Sequence, residues 1–204
     1  MCIRDRGIYT VKETTAPTNY GLNTNTFTAD LEFAGQVVQI QVTDPSITTG
    51  VTIKKTGYQQ VMNNSLIRYT VSNVANTSSV SLNSFYWRDT IPTDAMRLTR
   101  LVTGTYSATQ NYKVTYTTNL NSNWQTAYDN LSTAQNYTLD MSASALGLAS
   151  NEYVTSFMLV FGIVPSGFHQ LTDATVDGTT LYALTNGYQF TNKADVGGLY
   201  GQYW

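Results

Sequence analysis

Short runs of alternating apolar and polar residues, separated by Gly, Asn, Asp, Ser and Pro, succeed one another along most of this chain. Successive residues of a β-strand face opposite sides, so this alternation predicts strands that bury one face. Thr is the commonest residue, with 33 copies, whereas Glu occurs only 3 times. β-Branched and aromatic residues favour strands, and scarce Glu leaves little for helices. The pattern therefore predicts an all-β protein.

The turn residues divide the chain into separate strand candidates. One weak helical or irregular stretch is expected at 140–149. Eight or so strands over about 150 residues after position 50 are typical of a β-sandwich. The strands are predicted at 7–13, 27–33, 36–43, 51–56, 66–73, 80–89, 97–106, 111–117, 153–163, 179–184 and 188–192.

The charge balance and the hydropathy of the chain exclude two classes of function. Charged residues make up 12% of the chain, the pI is about 5.2 and the net charge is −2. A nucleic-acid binder would need a basic patch, which this composition does not offer. The longest apolar run, Phe157 to Val164, is eight residues long, whereas a membrane-spanning helix needs about 20.

The two ends of the chain and one internal segment predict its domain organisation. Residues 1–6 share no pattern with the rest of the chain and are interpreted as a sequencing-adapter artefact. Without these six residues the chain has no cysteine. It can therefore form neither a disulfide nor a thiolate metal site. Residues 44–50 contain Pro45, which cannot continue a central strand. We therefore expect a partial domain at 7–46 and a larger one at 48–204, whose last strand could continue beyond Trp204.

Strand parity places three polar residues on apolar faces. Lys55 shares its face with Val51 and Ile53, and Asp89 shares its face with Phe85 and Trp87. When the same alternation is continued across 188–196, Asn192 shares its side with Tyr188, Phe190, Ala194 and Val196. Burying a lone Lys or Asp is costly unless the group is paired or neutralised. Lys55, Asp89 and Asn192 therefore need a common explanation.

One explanation is an intramolecular isopeptide bond. Burial would lower the pKa of Lys55 and raise that of Asp89, which leaves a neutral amine and a carboxylic acid. The amine could attack the side-chain amide carbon of Asn192 while Asp89 polarises the amide oxygen and moves protons to the departing ammonia. The alternative is that Lys55 reaches solvent at the sandwich edge, Asp89 caps the turn before Pro92 and Asn192 bonds the backbone.

Residues 9–20 carry the pattern Tyr-x-Val-x-Glu-x-x-Ala-Pro-x-x-Tyr. This segment resembles the E-box of Cna-B-type repeats, which are prealbumin-like β-sandwiches of Gram-positive pilins and adhesins. Asn19 stands where the family usually has Gly; Asn also tolerates positive φ. The resemblance covers 7–46 and implies that Glu13 is the glutamate assisting an isopeptide bond and Asp44 its acceptor. The partner Lys would lie before Gly7, so this site is incomplete.

The larger part is similar to Ig-like repeat domains of the same surface proteins. Their pattern is Lys-Thr-Gly, then Tyr-Thr-Val, Asp-Thr-Ile-Pro and a late Thr-Asn-x-Ala, and its four motifs begin here at Lys55, Tyr69, Asp89 and Thr191. By this resemblance, Lys55, Asp89 and Asn192 occupy the bond-forming positions, which parity also selects. It implies an Ig-like β-sandwich preceded by the last strands of a smaller prealbumin-like one.

Other candidate sites are weaker. His169 is the only histidine, so neither a His cluster for zinc nor a catalytic triad has support beyond it. Asp173 and Asp177 lack the spacing of an EF-hand loop and favour a turn. Paired carboxylates for glycoside hydrolysis have no motif behind them. No metal and no cofactor are therefore expected.

We expect a non-enzymatic structural and adhesive module of a bacterial surface protein. The resemblance implies an extracellular, wall-anchored location and neighbouring repeats of the same chain as partners. The alternative is a tip domain that binds a host glycan or matrix protein through end loops such as 119–130.

Overall fold

The computed structural model describes residues 6–33, 35–58 and 60–201, and it divides the chain into two compact units, 1–48 and 49–204. About half of the chain is in antiparallel strands, and the described residues contain no helix. The all-β prediction is confirmed. Within the described ranges, no helix is long and apolar enough to cross a membrane. The proposed artefact at 1–6 lies outside the described residues except for Arg6.

The first unit contains one antiparallel hairpin, formed by β1 (Gly7–Lys12) and β2 (Thr26–Leu31). Asn19, in the connection, has φ 69°, the left-handed conformation that the sequence analysis expects Asn to tolerate. The predicted strand at 36–43 is wrong, because this segment is irregular. Val37, at 89% exposure, has no sheet to pack against.

The second unit contains two five-stranded sheets that share one hydrophobic core. The first sheet has the order β10-β6-β13-β4-β3, the second sheet has the order β14-β5-β11-β8-β9, and β7 pairs with β12 as a short ribbon. The strands are β3 (Val51–Gly57), β4 (Leu66–Asn76), β5 (Leu82–Thr90), β6 (Met96–Val102), β7 (Thr105–Tyr106), β8 (Asn111–Thr118), β9 (Gln125–Ser132), β10 (Thr138–Asp140), β11 (Val154–Val164), β12 (Gln170–Thr172), β13 (Ala174–Thr180) and β14 (Lys193–Leu199).

Aromatic and branched side chains from facing positions of the two sheets fill the core, as a β-sandwich requires. Trp87 and Phe157, from neighbouring strands of the second sheet, meet edge to face with ring centroids 5.6 Å apart. The indole of Trp87 donates to the buried hydroxyl of Tyr106 at 2.9 Å. Asp89 lies two residues along the same strand as Trp87, so this enclosed core extends directly to Asp89.

Several sequence-based strand limits are wrong. The strand Gln125–Ser132 has no counterpart among the predicted strands, whereas the turns that follow Asp140 agree with the irregular alternative expected for 140–149. The strand predicted at 97–106 breaks at Gly104, whose φ is +71°. The last two predicted strands, 179–184 and 188–192, are displaced: the actual strands occupy Ala174–Thr180 and Lys193–Leu199. The loop between these two strands does not show the alternation of buried and exposed residues that a strand at 188–192 would require.

Candidate functional site

Strand β3 directs Lys55 into the sandwich. A bulge interrupts its pairing with β4, but the extra residue lies in β4 at Asn73, whose φ is 56°. The alternation of β3 is therefore continuous, so Ile53 and Lys55 face inward while Lys54 faces solvent. Because β3 is the edge strand of the first sheet, the lysine side chain can reach across to the second sheet.

Strand β5 presents Asp89 to that lysine. Between Tyr86 and Thr90 the register with both neighbouring strands is unbroken, which keeps Trp87 and Asp89 on the inward face. Lys55 Nζ donates to Asp89 Oδ2. The Asp89 side chain is fully buried, and that of Lys55 is only 10% exposed. The alternative in which Lys55 reaches solvent is therefore wrong.

Asn192 completes the cluster just before β14 begins. Strand β14 pairs with β5 so that Ala194 stands opposite Asp89, and the chain leading into it brings Asn192 to the same end of the site. Its side-chain Nδ2 and Oδ1 are buried without a hydrogen-bond partner, as is Asp89 Oδ1. The alternative in which Asn192 bonds the backbone is therefore wrong. Asn192 lies close enough to influence Asp89, although the contact lacks good hydrogen-bond geometry.

Burial shifts both ionisable groups towards their neutral forms. Desolvation lowers the pKa of Lys55, and the attraction of Asp89 only partly opposes this. Desolvation likewise raises the pKa of Asp89, against the opposing effects of Lys55 and Asn192. An amine and a carboxylic acid in contact can exchange one proton, so the pair can interconvert between charged and neutral forms without a change in total charge.

Aromatic residues flank Lys55 and Asp89. Lys55 Nζ lies 4.8 Å from the centroid of the Tyr69 ring, and Phe157 is the cross-strand neighbour of Asp89 in β11. Tyr69 in turn packs against Gly57, where any Cβ would approach its ring to 2.4 Å. Burial raises the pKa of Tyr69 to about 12, with a smaller contribution from Asp89. These aromatic neighbours contribute to the burial that shifts the pKa values of Lys55 and Asp89.

Several polar groups in one apolar enclosure are costly unless each finds a partner. The arrangement brings together an amine, a carboxyl group and a primary amide, which are the components of amide exchange. Loss of ammonia would remove the unpartnered Nδ2 of Asn192 and convert the lysine into a neutral amide.

Among the described residues of the first unit, Glu13 and Asp44 form no comparable cluster. Glu13 is half-buried and its Oε2 accepts from the backbone N–H of Asn23 at 2.6 Å. Asp44 is also half-buried, and within the described residues no hydrogen bond or ion pair joins it to Glu13. His169 is exposed, and its ring forms a hydrogen bond with the carbonyl of Gly167. No group of potential metal ligands occurs in the part of the chain that the structure describes.

Sequence reasoning missed a charged cluster on the outer face of the first sheet. Asp177 in β13 stands between Arg68 in β4 and Arg100 in β6, with hydrogen bonds of 2.5 to 2.9 Å. The side chain of Asp177 is 1% exposed because the two guanidinium groups cover it. The order of the strands creates this contact, and no local sequence signal indicates that order.

Comparison with known proteins returned no match to a family model, a curated protein or a solved structure.

Proposed function

We propose that residues 49–204 form a structural module of a bacterial surface protein, stiffened by an autocatalytic isopeptide bond between Lys55 and Asn192. The observation that supports this most directly is the enclosure of an amine, a carboxyl group and an unpartnered amide in one apolar site. Asp89 is the catalytic residue of the bond-forming reaction. The resemblance to Gram-positive adhesin repeats supports the surface location.

The reaction requires only groups within the site. The neutral Lys55 amine attacks Cγ of Asn192 while protonated Asp89 donates a hydrogen bond to the amide oxygen, where negative charge develops. Asp89 accepts a proton from the attacking nitrogen and passes one to Nδ2. The Nζ–Cγ bond forms, the Cγ–Nδ2 bond breaks and ammonia leaves, so no oxidant, metal or cofactor is consumed.

The position of the bond suits a load-bearing module. Lys55 lies on β3, the first strand of the second unit, and Asn192 directly precedes β14, the last described strand. A tensile force applied to the two ends of the unit would pass from β3 through the side-chain bond to β14. The intervening strands would carry little of the load. A disulfide could serve the same purpose in an extracellular domain, but the only cysteine in the chain is Cys2.

Intact-mass spectrometry of the purified full chain tests the proposal. The wild-type protein should be lighter than its sequence by one ammonia, and proteolysis should yield a branched peptide joining the segments around Lys55 and Asn192. Asn186-Gly187, in the loop before β14, could also lose ammonia by forming a cyclic imide. Peptide mapping distinguishes the two products because only the isopeptide joins two segments.

Variants separate the roles of the three residues. Asp89→Asn retains the size of the side chain but removes the acid, so the full sequence mass should return. Asn192→Ala should also restore the full mass, whereas Lys54→Ala, one residue from the proposed nucleophile, should remain crosslinked. An uncrosslinked wild-type chain, folded and incubated at neutral pH, would refute the proposal.

A further inference from the structure

A cavity of about 340 Å³ lies at the start of β6 and the start of β11. It shares no residue with the Lys55 cluster, so its role is independent of the isopeptide proposal. The apolar residues Leu98, Met141 and Val154 belong to its lining and are buried beneath it. Arg97 and Glu152, which also line the cavity, carry opposite charges. The volume lies at the lower end of the ~300–1,000 Å³ range of small-molecule sites.

Contacts with neighbouring residues hold the Arg97 side chain in place, but its guanidinium group retains N–H donors for a ligand. Its guanidinium carbon lies 3.9 Å from the centroid of the Tyr153 ring, and its Nη1 donates to the carbonyls of Thr93 and Met96. A guanidinium group has five N–H donors, and the three on Nε and Nη2 have no partner among the described residues. No carboxylate in the described ranges forms an ion pair with it.

Glu152 is also fixed without pairing to Arg97. Its Oε1 accepts from the hydroxyl of Thr118 at 2.5 Å, and its Oε2 accepts from the backbone N–H of Ala149 at 3.4 Å. Each carboxylate oxygen has two lone pairs, so both retain the capacity to accept another hydrogen bond. The cavity lining therefore presents a cation with free donors and a separate anion with free acceptor positions.

The two opposite charges together determine which class of ligand the cavity can bind. A simple anion would be attracted by Arg97 and repelled by Glu152, and a simple cation would experience the reverse. We propose that the cavity binds a free α-amino acid with an apolar side chain. The ligand carboxylate would bind the free edge of Arg97, its ammonium group would bind Glu152, and its side chain would cover Leu98, Met141 and Val154.

Titration of the 15N-labelled full chain, monitored by NMR, tests this with three probes of similar shape. L-Leucine carries both charges, isocaproate lacks the ammonium group and isopentylamine lacks the carboxylate. Leucine should shift the amide signals of residues 150–154. Each analogue should bind roughly tenfold to a hundredfold more weakly, as expected for the loss of one charged hydrogen-bonded contact.

Variants assign each charge to its partner. Arg97→Gln should abolish the preference for leucine over isopentylamine, and Glu152→Gln should abolish the preference for leucine over isocaproate. Arg88→Gln is the control, because Arg88 pairs with Asp195 on the outer face of the second sheet. If Arg97→Gln does not fold, Glu152→Gln still tests the ammonium contact.

Four results would overturn the proposal. Leucine could leave the signals of 150–154 unchanged, or isocaproate could bind as tightly as leucine, which would indicate an anion site. Methyl glucuronide could also bind more tightly than leucine, which would indicate a saccharide site. Retention of both preferences in Glu152→Gln would likewise exclude the proposed ammonium contact.

Discussion

Removal of either end of the proposed crosslink should destabilise the second unit strongly and to a similar degree. The bond would close a loop of 137 residues, the difference between positions 55 and 192. The chain-entropy relation used for disulfides gives about 5 kcal/mol for a loop of this length. For a domain of this size, this corresponds to a fall in Tm of about 10–20 °C.

Two variants separate loss of the bond from loss of the buried ion pair. Lys55→Met removes the amine while filling its space, whereas Asn192→Ala prevents the bond but leaves Lys55 in contact with Asp89. Thermal unfolding monitored by circular dichroism should give large losses for both. Lys54→Met, at the adjacent exposed position, should change the free energy of unfolding by less than about 0.5 kcal/mol.

The double variant provides the strictest test. Because both substitutions remove the same covalent bond, Lys55→Met with Asn192→Ala should be far less destabilised than the two single effects added together. The crosslink would be refuted if Asn192→Ala were nearly neutral while Lys55→Met remained severe. That result would mean that the Lys55–Asp89 ion pair alone accounts for the effect.

Three further predictions concern other contacts. Burial raises the pKa of Asp177, but the hydrogen bonds from Arg68 and Arg100 outweigh it and leave the pKa below its ordinary value. The stability that the ionised Asp177 contributes is therefore present above about pH 4 and is lost as the pH falls. Asp177→Asn should lower the free energy of unfolding by about 1–3 kcal/mol at pH 7 and flatten the acid dependence of that free energy in denaturant titrations. Burial raises the pKa of Tyr112 to about 12, so its contribution to stability is complete below about pH 10 and is lost as the pH rises to about 12. Tyr112→Phe should reduce this alkaline loss of stability in urea titrations. An unchanged dependence of stability on alkaline pH would contradict the role given to Tyr112. Gly57→Ala would place a Cβ 2.4 Å from the Tyr69 ring, and should slow crosslinking in time-resolved mass measurements; an unchanged rate would mean that Tyr69 does not position the amine.

The positions of Lys55 and Asp89 could be predicted because they depend on local alternation. Both lie in strand segments without a bulge, so counting from Ile53 or Trp87 gives the correct face. Parity also places Asn192 on the inward side, but the predicted strand 188–192 on which this depends is wrong. The actual strand starts at Lys193, and pairing with β5 determines where Asn192 lies.

Composition and alternation were enough to predict the all-β class, because β-branched and aromatic residues with a period of two suit only strands that bury one face. They could not predict the order of the strands, since hydrogen-bond pairing between distant segments leaves no local pattern. Long-range pairing alone places β13 between β4 and β6, which brings Asp177 between two arginines. The cavity beside Arg97 likewise exists only because residues 97 and 153, far apart in the chain, meet at one end of the sandwich.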